Sequence, residues 1–445
     1  MKVVIYVFVC FIFLEAKELF LPKHIYIYMH VKNPFYYQAI GEQFIAKEKE
    51  KFFEGSLDTQ LKASYDNKNY PTTDGIYENV ELWKPTENGI EFSLGYRRAE
   101  GVQEYNNIQT GQEGEIISSI KIPLFSVIND ISKNKVDIQN AKLTTEQLEF
   151  EGKFNLLKLH FNITKIYYQL LLQRQISQTY KELLDKAKKT KKFISKRIEQ
   201  GQIAEIAGIE VQKLIINREQ QYLEAMNEFT LVKNIFLQYL GITETTFDKK
   251  YKIPLIKMKN KSLPTLKRAI GLAIEKRPDL KMIDTEMAKL SVRQEYNEFQ
   301  KYPQLDMQFS GTYDPIFKEG YKVSFNFNFP LEQRRYSGMH ESLQKENLML
   351  QSKKIKSIRE IETNIMNLYQ KIKIKKQTIS LSKQELSLAK RLEDVEVKKI
   401  YEGVSNLIFL NQREMGTLIA QQKVLRSYYD LKVYILEVDY FLGTL

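Results

Sequence analysis

Apolar positions along the chain follow two periods, and the switches between them mark out its elements. From about Ser132 to Glu199, and again from about Glu341 to Glu402, there is no Pro and almost no Gly. Within these runs the apolar residues step by three and four: Phe154, Leu157, Phe161, Thr164, Tyr168 and Leu171 in the first, Ile358, Ile361, Ile365, Leu368 and Ile372 in the second. That spacing is a coiled-coil seam. A helix of roughly 65 residues is on the order of 100 Å long, which suits a stalk or a tunnel wall better than a globular core. Each run stops at a Gly, Gly201 or Gly403, and a shorter helix then leads to Gly241 or Gly443. Gly ends helices at least cost because it enters the left-handed region freely. Asn406 or Ser405 is a suitable N-cap for the last helix.

Between helices the period falls to two. In Lys322 to Pro330, Val323, Phe325, Phe327 and Phe329 share one face, while Lys322, Ser324, Asn326 and Asn328 share the other. Leu305 to Asp314 alternates in the same way, and a turn holding Asp314-Pro315 and Glu319-Gly320 makes a hairpin of the two. Leu57 to Asp66 and Glu115 to Pro123 answer them in the first half, where about fifty residues, Asp66 to Gly114, separate the strands. This insert carries two further candidate strands, Val80 to Trp83 and Ile90 to Arg97. An elaborated loop is the preferred reading, an extra hairpin in the same sheet the alternative.

The halves repeat each other. At an offset of 202, Tyr167, Leu184, Ala187, Lys188, Gly201, Leu223, Leu240 and Gly241 fall on Tyr369, Leu386, Ala389, Lys390, Gly403, Leu425, Leu442 and Gly443. A repeat of this length points to internal duplication. The expected organisation is a leader (1–16), a first repeat (17–241), a linker (242–262) and a second repeat (263–445). Each repeat runs helix, strand, strand, long helix, short helix. The strands are expected at about 57–66 and 115–124, then 304–314 and 321–331. The helices are expected at 132–199 and 204–240, then 341–402 and 406–442.

Composition narrows the function. Met1-Lys2, the apolar run Val3 to Leu14 and then Glu15-Ala16 describe a secretory signal cleaved after Ala16. A buried N-terminal strand or helix is the alternative. The only cysteine, Cys10, lies in that leader, so no disulfide is expected. The formal charge of +12 comes from Lys dispersed along helices, which reads as solvated faces. No aromatic platform or recognition-helix pattern accompanies it, so nucleic acid is not the expected partner. The four His are scattered, Gly111-Gln112-Glu113-Gly114 precedes a strand rather than a helix, and no catalytic constellation, metal site or cofactor site is expected. In an exported chain, four amphipathic strands with aromatic ends suit a membrane barrel, which must be shared among chains because four strands cannot close. A small soluble sandwich is the alternative.

These residues resemble the TolC-like outer-membrane efflux proteins of Gram-negative bacteria, from about Asn33 to Leu445. The carrying motifs are Arg277-Pro278-Asp279-Leu280, Tyr302-Pro303-Gln304-Leu305, Phe329-Pro330-Leu331, the tip Tyr401-Glu402-Gly403-Val404-Ser405-Asn406, and Leu442-Gly443. The resemblance implies a mainly α fold with membrane β. Three chains would form an α-helical barrel across the periplasm, with the linker in its equatorial belt, and one twelve-stranded outer-membrane β-barrel. It also implies a passive duct of a tripartite efflux or type I secretion system. An inner-membrane pump of the RND, ABC or MFS type would energise it through a periplasmic adaptor, the membrane fusion protein. The cargo, whether drug, metal ion or protein, is not legible.

By the same resemblance, adaptor hairpins would dock at the tips, around Gly201, Gln202, Gly403, Val404 and Ser405. The periplasmic gate would lie at Ile408, Phe409 and Gln412. Family members often carry carboxylates one and two turns past the tip Gly; this chain has Phe409 and Gln412 there, so an apolar Ile408 ring closing by dewetting replaces an acidic filter. The competing reading places Ile408 and Phe409 in coiled-coil core. A non-channel periplasmic scaffold and an adaptor protein remain alternatives for the whole chain.

Overall fold

The computed structural model describes residues 17–69, 71, 74–101, 109–256 and 262–445. The expected leader, and residues 257–261 of the expected linker, lie outside the described residues. In chain order the elements are β1 (Glu18–Leu19), a 3-10 turn (Pro22–His24), α1 (Ile25–Tyr28), α2 (Pro34–Glu54), a 3-10 turn (Gly55–Leu57), β2 (Gln60–Asn69), β3 (Asp74–Pro85), β4 (Glu91–Gly101), β5 (Glu115–Pro123), α3 (Leu124–Ile128), α4 (Lys133–Glu199) and α5 (Ile206–Leu240). Then come α6 (Glu244–Lys250), β6 (Tyr251–Lys252), α7 (Leu266–Lys276), α8 (Pro278–Phe299), β7 (Gln304–Asp314), β8 (Lys318–Asn328), α9 (Arg334–Glu402) and α10 (Leu407–Phe441).

The chain divides into two compact units. One holds the residues up to Ala39 with Asn155–Arg277 and Glu360–Leu445; the other holds Ile40–Phe154 and Pro278–Arg359.

The first unit is helical. The 67-residue α4 and the 69-residue α9 give it most of their length. Along the seam, Leu157, Thr164 and Leu171 of α4 are buried, as are Ile361, Ile365, Leu368 and Ile372 of α9. One cluster is built on Phe20, whose ring lies 5.0 Å from that of Tyr251, 5.3 Å from Phe247 and 5.4 Å from Phe236. The parallel pairing of β1 with β6 holds this entry segment in place. Tyr167 and Tyr369, 202 positions apart, make the same kind of bond: Tyr167 donates to the Phe20 carbonyl at 2.7 Å, and Tyr369 donates to the Pro264 carbonyl at 2.6 Å. Asn33, before Pro34, donates to the Tyr239 carbonyl at the end of α5, while Arg277, before Pro278, stacks against Tyr440 and Phe441 at the end of α10.

The second unit joins a sheet to helices. Its six strands follow the order β2-β3-β4-β5-β7-β8, every neighbouring pair antiparallel. This corrects the expectation of four strands per chain with the insert as a loop. The 66–114 insert supplies the hairpin β3–β4, which lies between β2 and β5 as two full members of the sheet. The boundaries shift as well: β2 begins at Gln60 and runs to Asn69, and β8 begins at Lys318 and stops at Asn328, before Phe329-Pro330-Leu331. The hairpin stays because each of its strands finds a bonded neighbour on both sides, so its backbone groups are satisfied within the sheet. On the helical side Leu290 of α8 packs with Leu343 and Leu350 of α9, and Lys353–Glu286 (2.8 Å) and Lys354–Asp284 (2.5 Å) flank that contact.

Candidate functional site: an apolar sheet face and two helix-hairpin tips

Cross-strand register separates the six strands into two chemically distinct faces. Leu61 pairs with Leu82, Leu82 with Leu94 and Leu94 with Ser118; Ile120 pairs with Phe309 and Phe309 with Val323. The same face carries Tyr65, Val80, Phe92, Tyr96, Ile116, Tyr313, Tyr321, Phe325 and Phe327, and all of these side chains are exposed, from Tyr96 at 41% to Tyr321 at 80%. A soluble sheet buries such a face; this one leaves it open across its full width.

The opposite face is polar and cross-linked. Lys121 reaches Glu91 at 3.4 Å and Asp306 at 3.5 Å, so one cation ties three adjacent strands together. Arg97 pairs with Glu115 at 2.5 Å, Ser119 bonds Ser310 at 2.9 Å, and the Lys62 ammonium sits 3.6 Å from the Trp83 ring centre. At one end of the sheet the Asp314 carboxylate accepts from the backbone N–H groups of Gly111, Ile316 and Phe317, fixing the β7–β8 turn against the loop that precedes β5. The strands are 9 to 12 residues long. That is about the 9–11 residues a tilted strand needs to cross a bilayer. Among the described residues, no helix is long and apolar enough to cross a membrane.

The tips belong to the helical unit. Gly201 (φ 66°) ends the turn after α4, and Gly403 (φ 81°) ends the turn after α9. A Cβ on Gly201 would meet open space, whereas one on Gly403 would lie 3.0 Å from an Arg197 Nη atom. Arg197 clamps the two tips to each other: Nε donates to the Gln202 side chain at 3.0 Å, Nη1 donates to the Ile400 carbonyl at 3.5 Å, and Phe193 meets Tyr401 edge to face at 4.5 Å. The Ser405 hydroxyl bonds Glu396, and the Asn406 side chain accepts from the Phe409 N–H at 3.1 Å, capping α10. Gly201, Gln202, Gly403 and Val404 are exposed and Ser405 is half-buried.

Ile408 (68% exposed), Phe409 (52%) and Gln412 point away from the chain's own packing. Within one chain, Ile408 and Phe409 are therefore not core. Ile419, three turns on, is exposed as well.

One element escaped the sequence reading. Arg218 of α5 and Glu414 of α10 form a buried pair, joined by Asn411. Burial pushes the Glu414 carboxyl above its ordinary value, and the Arg218 charge opposes this only in part. Nearby, Lys186 of α4 pairs with the buried Glu393 of α9 at 2.5 Å. Among the described residues no group of three His, Cys, Asp or Glu is placed to hold a metal ion.

No protein-family model matches the chain, and no curated protein matches it in sequence. Solved structures do match in shape. The outer-membrane channel OprN superposes with a TM-score of 0.72 at 11% identity, over 95% of this chain and 90% of the other. CusC, described with its folding and transmembrane channel formation, gives 0.70 at 12% over 95% and 92%. The Campylobacter jejuni CmeC outer-membrane channel gives 0.69 at 13% over 95% and 85%. The fold is that of the TolC-like outer-membrane channels. Of the six strands, β2, β5, β7 and β8 correspond to those expected from the sequence, and the β3–β4 hairpin lies between the first two of them.

Proposed function

We propose that this chain is an outer-membrane exit duct of a tripartite efflux or type I secretion system. The observation that carries this reading is the exposed, mainly apolar face that extends over all six strands, backed by a polar, ion-paired face. Lipid on one side and water on the other is the environment that such a sheet satisfies. The helical unit supports a periplasmic extension. Three chains would share one barrel, and solutes would pass by diffusion, driven by an inner-membrane pump coupled through an adaptor. The tips at Gly201, Gln202, Gly403, Val404 and Ser405 would receive the adaptor. Ile408, Phe409 and Gln412 would line the periplasmic gate, closing it by exclusion of water rather than by charge.

Membrane fractionation combined with unboiled gel electrophoresis tests this. A duct is recovered in the outer membrane as a heat-modifiable oligomer. Recovery as a soluble periplasmic monomer would refute the channel and favour a coiled-coil scaffold.

A further inference from the structure

Among the described residues the sheet has two free edges: β2 is bonded to β3 alone, and β8 to β7 alone. In lipid neither edge can stay unpaired, because each unpaired N–H and C=O lacks water. What covers them is written in the stagger of the strands. Following bonded partners from Gln60, the first residue of β2, one row passes through Trp83, Ser93, Ser119 and Ser310 to Lys322. The strand ends at that side of the sheet lie progressively further beyond this row. Pro85 and Glu91 are two residues beyond it, Pro123 four, Gln304 and Asn328 six. The stagger is thus about one residue per strand. A shift of ~3.3 Å for each ~4.8 Å of spacing is a strand tilt of about 35°, the lower limit of membrane barrels.

Resting on the duct reading above, we propose that β8 of one copy pairs with β2 of the next, Gln60 opposite Asn328 and Asn69 opposite Glu319, and that three copies of six strands close an eighteen-stranded barrel. Three features of the chain agree on this seam. An even number of alternating strands leaves β2 and β8 running in opposite directions, so the added pair is antiparallel like the rest. A six-residue offset is even, which keeps the faces matched: Leu61 opposes Phe327, Ala63 opposes Phe325 and Tyr65 opposes Val323 on the apolar side. On the polar side Ser64 opposes Ser324, and Asp66 opposes Lys322, a cross-strand pair of opposite charge.

The same offset that aligns the strand ends is the one the internal stagger accumulates over one chain. Eighteen strands at this tilt enclose a backbone diameter of about 34 Å, against about 23 Å for twelve. Barrels of sixteen to eighteen strands leave an open aqueous channel. The mouth in the outer membrane is then wide, lined by Lys62, Glu81, Arg97 and Lys121, and the narrow step lies elsewhere in the duct.

Paired cysteines decide this, in a Cys10→Ser background that removes the only native thiol. Ser64→Cys with Ser324→Cys reports the seam; Ser93→Cys with Ser119→Cys, register partners in β4 and β5, reports whether the extra hairpin belongs to the ring. On oxidation of outer-membrane fractions, the first pair is expected to give covalent dimers and trimers. The second is expected to give a bridge within one chain, seen as a linked peptide by mass spectrometry. Ser64→Cys with Asn328→Cys, four residues out of register, is expected to link poorly. Seam linkage without the β4–β5 bridge would place the hairpin outside a twelve-stranded ring and overturn the inference while leaving the duct intact. A β4–β5 bridge with no seam linkage, or stronger linkage through Asn328→Cys, would overturn the seam. Recovery of the chain in the soluble fraction would overturn the duct reading itself.

Discussion

Arg218 and Glu414, on helices 196 positions apart in sequence, meet at 2.5 Å with both side chains almost wholly buried. Arg218 also donates to the Leu183 carbonyl and to Asn411, each at 3.1 Å, so one guanidinium ties α4, α5 and α10 together. Removing one partner strands the other charge in the interior. Glu414→Ala is expected to cost about 3–5 kcal/mol, read as a lower thermal midpoint by far-UV circular dichroism. The double variant Arg218→Met/Glu414→Leu is expected to recover most of that loss, because the desolvation of both charges disappears with the pair. A double variant as unstable as Glu414→Ala would show that the ion pair itself is needed.

His160 gives the helical unit an acid-sensitive point. Its ring stacks on Tyr26 at 4.4 Å, neither ring nitrogen has a hydrogen-bond partner among the described residues, and burial lowers its pKa from 6.5 to about 4. The group is neutral in the folded chain but protonates near 6.5 once unfolded. Its stabilising effect is therefore complete above about pH 6.5 and is lost as pH falls towards 4. Unfolding at pH 4.5 is expected to be easier than at pH 7 by about 2 kcal/mol from this residue. His160→Phe should flatten that part of the profile; an unchanged profile would place the acid sensitivity elsewhere.

The two faces of the sheet should respond oppositely to charge. Leu94→Lys puts an ammonium where lipid is expected and should cost about 2–4 kcal/mol of barrel stability, visible as loss of the heat-modifiable band. Asn326→Lys, on the polar face opposite Asp306, should assemble normally. Equal tolerance of both would argue against lipid contact.

At the tip, Gly403→Val combines a left-handed backbone with a Cβ that meets Arg197. Adaptor binding and export are expected to fail while the oligomer on unboiled gels stays intact. Loss of the oligomer would instead make Gly403 an assembly residue.

Ile408→Ser exchanges an exposed apolar side chain for a hydroxyl at the expected constriction. Single-channel conductance in planar bilayers should rise. Unchanged conductance would move the gate along α10, with the exposed Ile419 the next position to replace.

Much of this was legible in local pattern. The helix breaks at Gly201 and Gly403 could be read because only Gly takes the left-handed turn cheaply, and β7 and β8 because their alternation is strict. The hairpin β3–β4 is visible in the sequence as two candidate strands, Val80 to Trp83 and Ile90 to Arg97, yet local alternation alone does not say whether they join the sheet or belong to an elaborated loop. Arg218 and Glu414 carried no signal, since each looks like one more charge on a long helix. Asp314 read as a turn residue, without its bond to Gly111.

The sequence by itself determined the local periods, and with them the long helices, the tips and the apolar face of each strand, because these depend on residues a few positions apart. Only the tertiary structure decided that six strands share one sheet, how they are staggered, and which buried charges pair. Those outcomes depend on which backbone edge or helix face lies alongside, and that is set by contacts between segments up to two hundred residues apart, where the spacing of side chains along the chain holds no information.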